Sequence, residues 1–300
     1  MLAAFLTTIF FSLSAISGRR LSSHLSGTLA NLLRLLLAAA LLGAWSHGFG
    51  FGLGGAAFPI LFVSGCVGFG VGDLALFQAY PRIGTRRTTV MVQCLAVPFA
   101  ALAEWAWLGT APTLAQAVFG LLILVGVGVA LMPGKSEAPR PHGLTAGILF
   151  GALAALGQAG GAVLSRKAYT VAATAGQEFH GAGDGVNAAY QRMLGGILVT
   201  ALFFLYLKLA HQPDESRRAD WTGAWPWLVG NSLAGPALGV TCFQWALISA
   251  PTILVLPIVA TTPLVVIPLA RLLEKEPVTR RAVLGGIAAV AGVIGLTLAK

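Results

Sequence analysis

The sequence predicts an all-α membrane protein with ten transmembrane helices, arranged as two inverted five-helix repeats. Three observations predict this fold: an apolar composition, ten apolar runs long enough to cross a bilayer, and motifs that recur in both halves. Of the 300 residues, 57% are hydrophobic and only 10% are charged, against about a quarter charged in an ordinary soluble domain. Together with a mean hydropathy of +0.83, this composition excludes a soluble globular domain.

The apolar runs give the helices in order. A helix needs about 20 mostly apolar residues to cross the hydrocarbon core, or somewhat fewer with favourable flanks. Residues 2–17 have no basic segment before them and Arg19-Arg20 after them, which favours a first span over a signal peptide. The predicted spans are 2–18, 27–46, 58–80, 88–108, 113–133, 143–164, 188–209, 223–248, 251–272 and 279–299.

Motifs recur on either side of a proline-rich linker near the middle of the chain. The second span of each half begins with an arginine, Arg34 or Arg192, and the linker, residues 134–142, lies between the halves. Three further pairs share one spacing of 165 residues: Pro98 with Pro263, Pro112 with Pro277, and Gly120 with Gly285. The pattern predicts a tandem duplication with repeats at 1–133 and 143–300.

The number of spans per repeat fixes how the repeats relate to each other. Five spans is an odd number, so the second repeat enters the membrane from the opposite face. Secondary transporters with inverted repeats bind their substrate near the bilayer midplane, between the repeats. By this analogy of architecture the chain is expected to be a transporter. The alternative is a membrane protein that does not transport, such as a scaffold, a sensor or an embedded enzyme.

The ordered features of both halves resemble a known family. Each first span ends in basic residues (Arg19-Arg20 and Arg166-Lys167), and the segment Leu-Leu-Glu-Lys-Glu-Pro-Val-Thr at 272–279 leads into a glycine-rich last span. In this order they resemble the drug/metabolite transporter superfamily, in particular its EamA-type ten-helix members. The first half departs at 104–112, where the acid comes early and the usual base is missing. The resemblance implies export or import of metabolites, amino acids or drugs, often coupled to protons or by exchange.

Asp73 is the only carboxylate deep in a predicted span. An ionisable group near the bilayer centre costs roughly 2.5–3.5 kcal/mol on insertion scales, which makes it a functional candidate. Because burial disfavours the charged form, Asp73 is the candidate for proton coupling. The alternatives are that it lies near a wet cavity mouth or caps a kink among nearby glycines. Gly70-Val-Gly-Asp73 also matches the GxGD of intramembrane aspartyl proteases, but no Asp precedes it to form a catalytic pair. No catalytic residue is predicted, and the chain is not expected to be an enzyme.

Polar side chains inside the spans are the candidates for contact with a substrate, because each must find a partner in the bundle or in water. In the superfamily the spans that hold them line a central cavity. Arg34 and Arg192 start their spans, so either they snorkel to the interface in a structural role or they contact an anion. The predicted substrate-binding residues are Ser12, Ser14, Gln78, Gln93, Gln158, Asn231, Thr241, Gln244, Trp245 and Thr261.

The remaining predictions concern partners and location. The three cysteines lie in apolar runs and the five histidines in predicted loops, so neither a metal site nor a cofactor is expected. The net charge of +9 is spread over short juxtamembrane clusters, which indicates lipid headgroups rather than nucleic acid. Glycines of spans 5 and 10, such as Gly126 and Gly285, form small-residue faces that pack against each other or against a second copy in a homodimer.

The predicted location is a membrane, the cell inner membrane if the source is bacterial, with a small-molecule substrate and the lipid bilayer as partners. The two arguments about orientation disagree. Counting basic residues in the loops puts both termini outside, whereas the family resemblance puts both in the cytoplasm.

Overall fold

The computed structural model describes residues 2–108, 113–131, 143–179, 181–210, 220–250, 252–274 and 279–299. Within these ranges the chain is helical and forms no strand. Two π-helical segments, Cys66–Gly72 and Leu233–Gly239, join α3 to α4 and α8 to α9. The helices are α1 (Leu2–His24), α2 (Gly27–Phe49), α3 (Phe58–Gly65), α4 (Asp73–Leu108), α5 (Leu114–Leu131), α6 (Leu144–Thr174), α7 (Ala182–Leu209), α8 (Trp221–Ser232), α9 (Val240–Ser249), α10 (Thr252–Val259), α11 (Thr262–Glu274) and α12 (Arg280–Leu298).

The long helices have the length and composition of membrane spans. In the described part of the chain, seven helical stretches of 19 to 46 residues are apolar enough to cross a bilayer. Large apolar side chains such as Leu121, Leu149 and Leu202 are 61%, 66% and 58% exposed. Such exposure suits lipid, which is itself an apolar solvent, and the backbone polar groups are satisfied within the helices. The fold is that of a multi-pass helical membrane protein.

The longest apolar stretch reverses its direction at Gly84, where the backbone has φ 79° and ψ 166°. Gly72, before this break, packs backbone to backbone on Gly157 of α6. Gln93, after the break, accepts a hydrogen bond from Gln158, the next residue of α6. A straight helix would separate residues 72 and 93 by about 32 Å at 1.5 Å per residue. The chain therefore folds back between them, and glycine allows the turn because it has no Cβ.

Glycines let α7 pack directly on α3 and on the first π-helical segment. A Cβ at Gly65 would overlap the backbone carbonyl of Arg192, and a Cβ at Gly195 would overlap that of Phe62. Small residues are what permit such close approach of membrane helices. This contact fixes the position of Arg192 relative to the π-helical segment.

Glycines also pair α5 with α12. A Cβ at Gly126 would lie 2.5 Å from the backbone nitrogen of Ala289, and one at Gly285 would lie 2.5 Å from that of Ala130. The small-residue faces of these two helices thus pack against each other, which is one of the two arrangements the sequence allows.

The helices α6 and α7 extend further than hydropathy predicts. The α6 helix continues to Thr174 and the α7 helix begins at Ala182, so much of the polar stretch 168–187 is helical. In the first turn of α7, Asp184 accepts a hydrogen bond from the backbone N–H of Gly181 at 3.2 Å. The predicted linker, 134–142, lies outside the described residues, so the division into domains at 1–133 and 143–300 stays a prediction.

Candidate functional site

A cavity lies between helices that come from both halves of the chain. Its wall is formed by α1, α2, α4, α6, α7 and α9 together with both π-helical segments. The centre of a water molecule can occupy about 100 Å³ of it, several times the roughly 10–15 Å³ that one bound water needs. The cavity therefore has room for several waters or for a small solute.

An ion pair stands in the cavity wall. The carboxylate of Asp73, directly after the first π-helical segment, accepts a hydrogen bond from the guanidinium of Arg34 on α2. The two side chains are 18% and 4% exposed, respectively. Arg34 also donates from Nε to Oδ1 of Asn31 at 2.9 Å, and its guanidinium lies 4.8 Å from the ring centroid of Phe77. Arg34 is thus fully engaged and electrically neutralised by Asp73.

Arg192 on α7 brings a second guanidinium to the same cavity. It is 4% exposed and lies 4.9 Å from the ring centroid of Phe69. A Cβ on Gly68 or Gly161 would come within 2.9 Å and 2.8 Å of its Nη2, so these glycines make the space that it occupies. Among the described residues no ion pair or hydrogen bond reaches this guanidinium, and its Nε is buried without a partner.

The rest of the wall combines amides, a hydroxyl and aromatic rings. The amide of Gln158 donates to Oε1 of Gln93 at 2.5 Å, linking α6 to α4. Ser14 lies on the α1 side, near the rings of Phe11 and Phe243, whose centroids are 6.0 Å apart. A bound solute would therefore meet both hydrogen-bonding groups and apolar surface, the usual composition of a small-molecule site.

The structure brings four of the eleven predicted site residues to the cavity wall: Ser14, Asp73, Gln93 and Gln158. The other seven lie outside its lining: Ser12, Gln78, Asn231, Thr241, Gln244, Trp245 and Thr261. For all eleven, contact with a solute stays a prediction.

Asn231 is placed one step behind the lining. Its Nδ2 donates to the backbone oxygen of Ser14 at 2.7 Å, and its Oδ1 accepts from Arg34 at 3.5 Å. This amide therefore holds a cavity hydroxyl and a cavity guanidinium in place from the α8 side.

The other six predicted residues are engaged elsewhere or enclosed. Gln78 accepts from the guanidinium of Arg82 at 2.7 Å, and Gln244 accepts from the hydroxyl of Tyr169 at 2.5 Å. Trp245 packs against the main hydrophobic core. Ser12 and Thr261 donate to carbonyls in the preceding turn, at 2.7 Å and 2.6 Å, whereas the hydroxyl of Thr241 is buried with no partner in the described part of the chain.

Arg34 and Arg192 are two charged residues of the cavity wall that are not among the predicted site residues. Both are 4% exposed, so snorkelling to the interface is wrong for these side chains. The signal that could have found them is their equivalent place in the second span of each half. The structure adds a reciprocal contact: Nη2 of Arg192 lies against Gly68 of the first π-helical segment, and Nη1 of Arg34 lies against Gly235 of the second.

Long apolar helices around a cavity with charged side chains define the class, a multi-pass helical membrane protein. The chain belongs to the EamA-like transporter family, whose model matches residues 1–132 and 145–298, and thus to the drug/metabolite transporter superfamily. No curated protein matches it in direct sequence comparison. Solved structures of similar fold include a crystal structure with a TM-score of 0.66 and 16% identity, which matches over 99% of this chain and 96% of the other.

Proposed function

We propose that the protein is a secondary transporter that moves a small metabolite or drug-like solute through the cavity by alternating access. The observation that carries the proposal is a cavity inside a membrane fold, lined from both halves by three charged side chains and an amide pair. Ionisable groups at membrane depth are expensive and mark pathways for solutes or ions. Membership of a transporter family supports the same function.

Ten crossings are part of the proposal. The reversal at Gly84 turns the longest apolar stretch into two spans, because its contacts with Gly157 and Gln158 lie on either side of the break. The stretch 221–249 counts as one span, α10 with α11 as one, and α5 and α12 as one each. With α1, α2, α6 and α7, the total is ten.

The arrangement as two inverted repeats has support in the same geometry. The π-helical segments Cys66–Gly72 and Leu233–Gly239 begin 167 residues apart and have equal length. Arg34 of the first half packs against the π-helical segment of the second half, and Arg192 of the second half packs against that of the first. A two-fold relation between the halves requires such a reciprocal contact. The family match also divides into two ranges of similar length. Two repeats that meet around a shared cavity are the parts that alternating access needs.

Topology reporters test the number of crossings. A reporter would be fused to truncated chains that end at Gly55 or Ala138 and to the full chain at Lys300. In the proposed topology, two crossings precede the first fusion, five the second and ten the third. The first and last fusions should therefore agree and the middle one should differ. If the stretch around Gly84 crossed only once, the fusion after Ala138 would agree with the one after Gly55.

The same fusions decide the orientation of the termini. Arg86 and Arg87, which the count of basic residues assigns to a loop, are 2% and 5% exposed inside the fold. Leaving these two arginines out of the count of loop residues weakens the argument that both termini lie outside. A cytoplasmic signal after Lys300 would agree with the family resemblance.

Transport itself is tested with the purified full chain in liposomes. Tracer uptake would be measured for amino acids, organic acids, nucleosides and cationic drugs, with empty liposomes as the background. At least one class should enter faster than background and should exchange with unlabelled solute inside. Uptake at background for every class, from correctly folded protein, would favour the alternative of a membrane protein that does not transport.

We propose further that Asp73 carries the coupled proton. Its carboxylate lines the cavity and pairs with Arg34, so protonation would release that guanidinium and change the charge of the cavity. Asp73→Asn should abolish transport driven by a pH gradient but keep exchange without a gradient, because Asn cannot titrate. If the variant retained the pH dependence of the wild type, Asp73 would be a structural residue.

A further inference from the structure

We infer that the solute is a small organic anion with one carboxylate, and that the guanidinium of Arg192 is its anchor. The inference rests on the proposed transport function and names the substrate class of the same cavity. Three independent features of the structure carry it: the charge balance of the wall, the difference between the two halves, and the surroundings of Arg192.

The charge balance of the cavity leaves one positive charge without a counterion. The charged side chains in its wall are Arg34, Asp73 and Arg192, and the first two neutralise each other. Tyr169 and Asp73 interact with Arg192 at longer range, but no carboxylate of the described residues lies within 4.0 Å of its guanidinium. A buried charge without a partner is strongly unfavourable. A monoanion in the cavity would restore neutrality, whereas a neutral or cationic solute would not.

The two halves differ at the position that supplies the counterion. Asp73 directly follows the first π-helical segment, and Val240 directly follows the second, at the same shift of 167 residues. Val240 also lines the cavity, and it belongs to the same buried cluster as Met193, the neighbour of Arg192. The second half thus keeps the arginine and has an isopropyl group in place of the carboxylate. The carboxylate that Arg192 lacks would come from the solute.

The surroundings of Arg192 prepare it for this contact. Its guanidinium lies over the ring of Phe69 and against Gly68 and Gly161, so the side chain is held before a ligand arrives. A guanidinium that lines the cavity without an ion-pair partner can pair with a carboxylate, and such charge-assisted pairs are strong and geometrically specific. The Gln93–Gln158 amides offer hydrogen bonds to another polar group of the solute.

The test compares carboxylates with their neutral amides on the purified full chain. Thermal unfolding would be followed in the presence of acetate, lactate or benzoate. Each carboxylate is compared with its own amide (acetamide, lactamide or benzamide), with sodium chloride added to give equal ionic strength. At least one carboxylate should raise the melting temperature while its amide does not, since binding to the folded state alone stabilises it. Inorganic phosphate is added as a second anion and should give the smaller shift. A larger shift with phosphate, or equal shifts within every pair, would overturn the inference.

Three variants assign the effect to Arg192. Arg192→Gln should weaken carboxylate binding by about tenfold or more, as expected for a lost charge-assisted hydrogen bond, and Arg192→Lys should restore part of it. Val240→Asp should abolish the carboxylate shift, because it supplies the missing counterion from within. Arg271→Gln, an exposed arginine near the end of α11, is the matched control and should behave as wild type. Unchanged binding in both Arg192→Gln and Val240→Asp would overturn the assignment.

Failure of this inference can be told from failure of the proposed function. Tracer uptake of a neutral or cationic solute that survives in Arg192→Gln would overturn the anion site and leave the transporter standing. Background uptake of every solute by the wild type would overturn both.

Discussion

Removing the carboxylate of Asp73 should destabilise the fold strongly, because it strands the charge of Arg34. Breaking a buried ion pair from one side typically costs 3–5 kcal/mol. Arg34 would keep its hydrogen bond to Asn31 and its contact with Phe77, and Asp73 is 18% exposed to the cavity, so water can replace part of the lost interaction. We therefore expect Asp73→Ala to lower the free energy of unfolding by about 3 kcal/mol, the lower end of that range.

The assay is reversible unfolding of the purified protein in mixed micelles with increasing denaturing detergent. Asp73→Asn keeps the size and one acceptor, so its loss should be smaller than that of Asp73→Ala. The double variant Arg34→Gln/Asp73→Asn should lose less stability than the two single variants lose in total. The difference, which is the coupling energy of the pair, should be about 1–3 kcal/mol. Lys167→Ala, at an exposed position on α6, is the control and should stay within about 0.5 kcal/mol of the wild type. A loss below about 1 kcal/mol for Asp73→Ala, or an additive double variant, would refute the buried-pair argument.

Three further outcomes are expected. Gly84→Ala should destabilise by about 1–3 kcal/mol in the same unfolding assay, because alanine is strained at φ 79°. Gly285→Leu should separate α5 from α12 and lower the melting temperature, since even a Cβ there would lie 2.5 Å from the backbone of Ala130. The pKa of Asp220 is lowered by the Gly223 N–H and by its hydrogen bond with His24. The stability from this carboxylate is present above its unfolded pKa, about 3.9, and is lost as pH falls through the lower folded pKa. Asp220→Asn should therefore narrow the stability difference between neutral pH and about pH 3.

The membrane class follows from the sequence because hydropathy is averaged along the chain and lipid demands long apolar helices. The separation of predicted spans 58–80 and 88–108 has a physical basis too. The residues between them contain Gly84, which takes the positive φ of the break. Hydropathy cannot show that helix continues almost to this glycine from both sides, because a hydrogen-bonded backbone is compatible with polar side chains.

Which polar side chains reach the cavity depends on rotation about each helix axis, which composition does not contain. Gln78 and Gln93 are the same residue type in neighbouring spans, and both were predicted at the site. Gln93 lies in the cavity wall, whereas Gln78 is engaged by Arg82 one turn further along its own helix. The amides must be satisfied in either place, so the sequence predicts that they have partners and not which partners they have.

The depth of Arg192 depends on where its helix begins. With a start at residue 188, as hydropathy predicts, the Cα of Arg192 would lie about 6 Å into the span, and a long side chain could snorkel to the interface. The helix begins at Ala182, which places Arg192 about 15 Å from its start. Hydropathy misses this first turn because it contains Asp184, yet an acid there favours a helix start, since it accepts from Gly181 and faces the positive end of the helix dipole. Capping chemistry, rather than apolarity, would have located the start of α7 and identified Arg192 as a buried charge.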